Sequence, residues 1–124
     1  MRPILVVDDE FDISEVICTI LQADGHEVQV CANGKEAIAY LKDHAPPSLV
    51  ILDVMMPFAN GYEVLRFMKG REGLKSIPVI LMSAVTPAMK QAEFGWNDFL
   101  RKPFTLESLE ELVARHVRSS EAPS

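Results

Sequence analysis

Two stretches of the chain are apolar without alternation, Ile4-Leu5-Val6-Val7 and Leu49-Val50-Ile51-Leu52. Runs of this kind suit strands covered on both faces, as in a parallel sheet with helices above and below. Both end in acid: Asp8-Asp9-Glu10 follows the first and Asp53 the second. A third buried strand is predicted over Pro78 to Met82, ending at Ser83, and a short one over Asp98-Phe99-Leu100. Glu27 to Cys31 alternates polar and apolar residues, which predicts a half-exposed strand at the sheet edge.

Helical periodicity fills the intervals. Ile13, Val16, Ile17, Ile20 and Leu21 form one stripe; Asp12 is the expected N-cap with Glu15 completing a capping box, and Gly25 the stop. After a turn at Asn33-Gly34, Ala37, Ile38 and Leu41 predict a shorter helix ended by Ala45-Pro46-Pro47. Val64, Leu65 and Met68 predict a third helix after a loop from Pro57 to Gly61, closed between Gly70 and Gly73. Thr86-Pro87 opens a short fourth helix that must end near Gly95. The last helix is expected from Thr105, with Leu106, Leu109, Leu112, Val113 and Val117 on its inner side.

Strand and helix thus alternate five times, which calls for an α/β, doubly wound, five-stranded parallel sheet with five helices. Right-handed crossovers and an alternating edge strand favour the order 2-1-3-4-5, with a crevice where the strand order reverses between strands 1 and 3. Asp8, Asp9 and Asp53 are expected at that crevice. At 124 residues with 48% hydrophobic content, the chain suffices for one domain with a real core. The net charge of −6 and the absence of a basic run argue against direct nucleic-acid binding. No apolar run approaches a membrane span, and Met1-Arg2-Pro3 leads into a strand without a signal-peptide layout, so a cytoplasmic location is expected. Cys18 and Cys31 lack metal-ligand spacing and are expected to be reduced.

Several carboxylates in one crevice repel: two like charges about 4 Å apart cost on the order of 4 kcal/mol near a protein surface. Hard oxygen donors favour Mg²⁺ or Mn²⁺, and Mg²⁺ usually takes one or two carboxylates and completes its shell with water and phosphate oxygens. Lys102, at the end of the fifth strand, adds a compact positive charge, and Ser83, at the end of the fourth, a hydroxyl. Nucleophilic carboxylate, metal, lysine and hydroxyl together suit phosphoryl transfer. Taken singly, each residue has a plainer role: Asp8, Asp9 and Glu10 as helix-start acids, Ser83 as a cap, Lys102 as a surface cation, Phe99 as core. Asp53 at the end of a buried run is harder to explain as solvated surface.

The chain resembles the receiver domains of two-component response regulators, including the chemotaxis-regulator-like ones. The resemblance runs from Ile4 to about Val117 and is carried by Val6-Val7-Asp8-Asp9-Glu10, Asp53 with Met56-Pro57 and Gly61, Ser83-Ala84, and Lys102-Pro103. It implies a flavodoxin-like fold, placed over residues 1–118; Arg118 to Ser124 is polar, so a flexible tail is expected at 119–124. It further implies that Asp53 is the phosphoacceptor, that Asp8, Asp9, Asp53 and the main-chain carbonyl of Met55 bind Mg²⁺, and that Ser83 and Lys102 contact the phosphoryl group. Ser83 and Phe99 would form the switch, and Lys102-Pro103 would be cis. The implied partners are a sensor histidine kinase or phosphotransfer protein and a downstream target or output domain. Such a domain catalyses its own phosphorylation and dephosphorylation without being a conventional enzyme.

Two other readings use similar residues. A phosphohydrolase of the haloacid dehalogenase type needs a second carboxylate two residues after its nucleophile, where Met55 stands here. A pseudo-receiver acting only as a binding module would not need the full acceptor, metal and lysine set. The sequence departs from the family between Ser83 and Lys102, which is shorter than usual by about three residues, close to one helical turn. The fourth helix is therefore expected to keep only about eight residues, which depend on packing for stability. Weak hydrogen-exchange protection across Thr86 to Phe94 is the expected outcome. Sedimentation should also detect no tight, phosphorylation-driven homodimer through that segment.

Overall fold

A computed structural model describes residues 2–54, 61–85 and 95–121, with side chains of the final stretch described to Val117. The strands are β1 (Ile4–Val7), β2 (Val28–Cys31), β3 (Leu49–Asp53), β4 (Val79–Ser83) and β5 (Asp98–Arg101). They form one sheet in the order β2-β1-β3-β4-β5, every neighbouring pair parallel. The helices among the described residues are α1 (Phe11–Ala23), α2 (Gly34–Asp43), α3 (Gly61–Lys69) and α4 (Leu106–Glu121). The expected short helix from Thr86 lies outside the described residues, so α4 is the one predicted from Thr105.

Because successive strand residues face opposite sides, the unbroken apolar runs divide into two cores. Leu5, Val7, Val50, Leu52, Val79 and Leu81 meet Ala37 and Leu41 of α2 and Val64, Leu65 and Met68 of α3. Ile4, Val6, Leu49, Ile51, Ile80 and Met82 meet Ile17 and Leu21 of α1 and Leu109, Val113 and Val117 of α4. Polar interruption of either run would leave one core unfilled, which is why β1, β3 and β4 show no alternation. The edge position expected for β2 is observed, and Gln29 and Val30 are exposed on it.

Several local expectations are corrected. Helix α1 starts at Phe11, with Glu10 at the N-cap, so Asp12 lies in the first turn and makes no capping box with Glu15. The turn that starts it uses Asp8 instead, whose Oδ1 accepts from the Glu10 amide at 2.9 Å. Asn33 is a helix cap rather than part of a free turn. Its Oδ1 accepts from the Glu36 amide at 2.9 Å while Glu36 Oε1 accepts from the Ala32 amide at 3.0 Å. Val16 and Leu106, assigned to inner stripes, are exposed, because the buried stripe of each helix is narrower than its apolar residues allow. Thr105 does cap α4: its Oγ1 accepts from the Ser108 amide at 3.1 Å. That helix continues through Glu121, past the start of the stretch expected as a flexible tail. At the end of α1, Gly25 adopts φ +93° and ends the helix as predicted.

Gly61 matters for a reason its place before a helix did not disclose. Its amide bonds the Val54 carbonyl, and a Cβ there would lie 2.5 Å from the Asp53 carbonyl oxygen and 2.9 Å from the Val54 Cα. The start of α3 therefore rests directly on the backbone that carries Asp53. Gly61→Ala should destabilise the domain by about 1–3 kcal/mol, measured by urea unfolding, since backbone rather than a flexible side chain must yield.

Candidate functional site

The strand register brings four ends together. Val7 pairs with Leu52, so Asp8 and Asp53 lie side by side where β1 and β3 finish. Ser83 pairs with Arg101, and the Lys102 amide bonds the Ser83 carbonyl at 2.9 Å. The carboxyl ends of β1, β3, β4 and β5 thus deliver Asp8, Asp53, Ser83 and Lys102 to one edge. This is the crevice at the reversal of strand order, where open α/β sheets take ligands.

Asp8, Asp53 and Ser83 are buried, whereas Asp9 and Glu10 are exposed. Lys102 spans the crevice. Its Nζ donates to Asp8 Oδ2 at 3.0 Å, Glu10 Oε1 at 3.0 Å and Asp53 Oδ2 at 3.2 Å. Burial alone would pull this ammonium's pKa down. The hydrogen bonds to Asp8 and Glu10 and the charges of Asp53 and Asp8 outweigh it, so Lys102 titrates above an ordinary lysine. The Ser83 hydroxyl accepts from the Val85 amide at 3.2 Å. Glu10, Asp53, Ser83, Ala84, Val85 and Lys102 line a cleft of about 210 Å³. The bond Lys102-Pro103 is cis, as the resemblance implied.

One carboxylate oxygen from each of Asp8, Asp9, Glu10 and Asp53 lies within 4.8 Å of the other three. Two buried and two exposed hard donors at an open crevice fit a hydrated divalent cation of the Mg²⁺ type. Met55, expected to add a main-chain ligand, lies outside the described residues. Phe99 is half-buried and packs against the core shared by α2 and α3. Its neighbour Asp98 is bound by both Arg115 and His116 of α4, each at 3.1 Å. The sequence-based reading of the site missed Glu10 as a partner of Lys102. The two stand 92 positions apart, and no linear spacing signals such a pair.

The profile of the response regulator receiver domain family matches residues 4–114. The chain belongs to this family and is a receiver domain of two-component response regulators. It is 37% identical over 123 residues to the alkaline phosphatase synthesis transcriptional regulatory protein SphR of Synechococcus elongatus, covering 90% of this chain and 46% of that protein. It is 37% identical over 118 residues to the response regulator SaeR of Staphylococcus aureus, covering 93% and 49%. The chain therefore spans about half the length of these curated relatives. Among solved structures it resembles the receiver domain of NtrX from Brucella abortus, with a TM-score of 0.83, 31% identity and coverage of 94% and 98%. It also resembles the chemotaxis protein CheY4 of Vibrio cholerae, with a TM-score of 0.84, 30% identity and coverage of 94% and 98%. Among the described residues, no helix is long and apolar enough to cross a membrane.

Removing the Lys102 cation leaves the carboxylates of Asp8 and Asp53 buried without it, and losing one member of such a group costs about 3–5 kcal/mol. Lys102→Met should lower stability by that order at pH 7. Because the folded lysine's pKa is raised, its contribution is fully present below the unfolded value of about 10.4 and is lost as pH rises through the folded value. Urea unfolding between pH 7 and 11 should therefore show a constant gap between wild type and variant that closes only above about pH 10.4.

Proposed function

We propose that Asp53 accepts a phosphoryl group from the phosphohistidine of a sensor histidine kinase or phosphotransfer protein, and that the aspartyl phosphate then switches the domain for a downstream protein or an output domain. The observation that carries this reading is the meeting of Asp8, Asp53 and Lys102 at the mouth of one crevice, through hydrogen bonds of 3.0 and 3.2 Å from a single ammonium. Asp8, Asp9 and Asp53, with the Met55 carbonyl, are the proposed holders of Mg²⁺ or Mn²⁺. When bound, the cation neutralises charge on the phosphoryl oxygens.

In the proposed reaction an Asp53 carboxylate oxygen attacks phosphorus, and the bond from phosphorus to the donor nitrogen breaks with its electron pair returning to the imidazole. Lys102 contacts a phosphoryl oxygen and stabilises the charge there. Hydrolysis by water reverses the modification. The Ser83 hydroxyl is proposed to turn from the Val85 amide toward the new phosphoryl group, and Phe99 to follow into the space released. Such a switch requires the phosphoryl group to favour one arrangement over the other. A DNA-directed output, as the names of the transcriptional relatives suggest for those proteins, would be made by a separate domain, since the net charge of −6 suits no phosphate backbone here. The proposed compartment is the cytoplasm, in keeping with free Cys18 and Cys31.

Incubation with acetyl phosphate and Mg²⁺ should add one phosphoryl group to the wild-type protein by mass spectrometry, and Asp53→Ala should abolish it. Undiminished incorporation in that variant would place the acceptor elsewhere. Asp9→Asn should weaken Mg²⁺ binding at least roughly tenfold in calorimetry, and equal affinity would remove Asp9 from the metal set.

A further inference from the structure

We propose that Asp98 is a positioning residue that passes the arrangement of Phe99 to α4, through a carboxylate bonded to both. This rests on the phosphorylation-linked role of Ser83 and Phe99 proposed above and adds to it the next contact in the sequence of events. Phe99 packs against the core shared by α2 and α3, whereas α4 packs on the opposite face of the sheet. A rearrangement of that ring therefore reaches α4 through β5 itself. Two residues of β5 engage the helix, one on each side of Phe99. Leu100 is buried with Leu109, Val113 and Val117, and Asp98 is the polar one.

Both oxygens of Asp98 are engaged. Oδ1 accepts from the Phe99 amide at 3.1 Å, while Oδ2 accepts from Arg115 Nη1 and His116 Nε2, each at 3.1 Å. An ionised carboxylate only accepts, so the His116 ring carries a hydrogen on Nε2. Apolar packing of the Leu100 kind is non-directional and survives a small turn of the strand. Hydrogen bonds are directional and weaken steeply once their angle falls below about 120°. The Asp98 carboxylate therefore follows the Phe99 peptide, and its donors on α4 must follow in turn or lose their bonds. The two donors contribute unequally. The Arg115 side chain is 53% exposed and its Nη2 also donates to Glu111 Oε1, so water and glutamate can take the place of Asp98 there. The His116 side chain is 14% exposed, which makes its bond to Asp98 the one that holds the helix to the strand.

The test follows the backbone amides of Leu112 to Val117 by ¹⁵N NMR with and without phosphorylation, maintained by excess acetyl phosphate and Mg²⁺ and verified by mass spectrometry. In wild type these amides and the His116 ring nitrogens should shift on phosphorylation. In Asp98→Asn and His116→Leu the shifts along α4 should fall to about half or less, with labelling at Asp53 and the response of the Phe99 amide retained. His116→Gln keeps a side-chain N–H and should restore most of the response, and Arg115→Gln should leave it close to that of wild type. A full α4 response in Asp98→Asn would assign transmission to the packing of Leu100 and overturn the proposal. Equal losses in His116→Leu and His116→Gln would make the effect one of packing and overturn it as well. If Asp98→Asn fails to fold, wild type alone still decides, because a His116 ring that does not shift on phosphorylation overturns the proposal. Phosphorylated wild type in which Phe99 itself does not respond overturns the switch reading and this inference with it.

Discussion

One ammonium group shared among three carboxylates governs the arrangement of this domain. Lys102 leaves the end of β5, yet its partners Asp8 and Asp53 stand at the ends of β1 and β3. With strands spaced about 4.8 Å apart, the side chain must pass over the end of β4 to reach them. The small residue Ser83 stands at that point, and its carbonyl fixes the Lys102 amide. Without a cation there, two neighbouring strands would each bury a carboxylate at one edge with mutual repulsion unrelieved. The sheet order, the small residue ending β4 and the direct seating of Gly61 on the β3 terminus are all conditions for the same contact.

The apolar layers below are built to keep those strand ends in place. Both cores draw on alternate residues of the same strands, so β1, β3 and β4 are clamped from two sides and their ends have little freedom. Toward β5 the clamp loosens. Phe99 is only half-buried, and β5 meets α4 through buried Leu100, which shares a core with Leu109, Val113 and Val117, and through Asp98, Arg115 and His116. A centre clamped from both sides and carrying Asp53 thus adjoins a less buried edge carrying Phe99.

The likeness to NtrX and CheY4 extends over nearly all of this chain and nearly all of those domains. The likeness to SphR and SaeR covers about half of those longer proteins. What is shared is thus the receiver domain itself.

The hydrophobic pattern by itself determined the five strands, the edge position of β2 and the placement of Asp8, Asp53, Ser83 and Lys102 at strand ends. These follow from periodicity and from which runs must be covered on both faces, and both are local properties of the chain. Helix starts were less legible. Asp12 and Glu15 have capping spacing, but the helix starts one residue earlier, after a turn in which Asp8 Oδ1 accepts from the Glu10 amide. The exposure of Val16 and Leu106 likewise depends on how narrow a stripe the neighbouring sheet leaves for each helix. Only the tertiary structure decided that Glu10, rather than a bond to the helix it caps, completes the set around Lys102. It alone decided that Gly61 is required because the Asp53 carbonyl lies where a side chain would begin. The first depends on segments 92 positions apart that meet only once the sheet has formed, and the second on how closely the start of α3 approaches the end of β3.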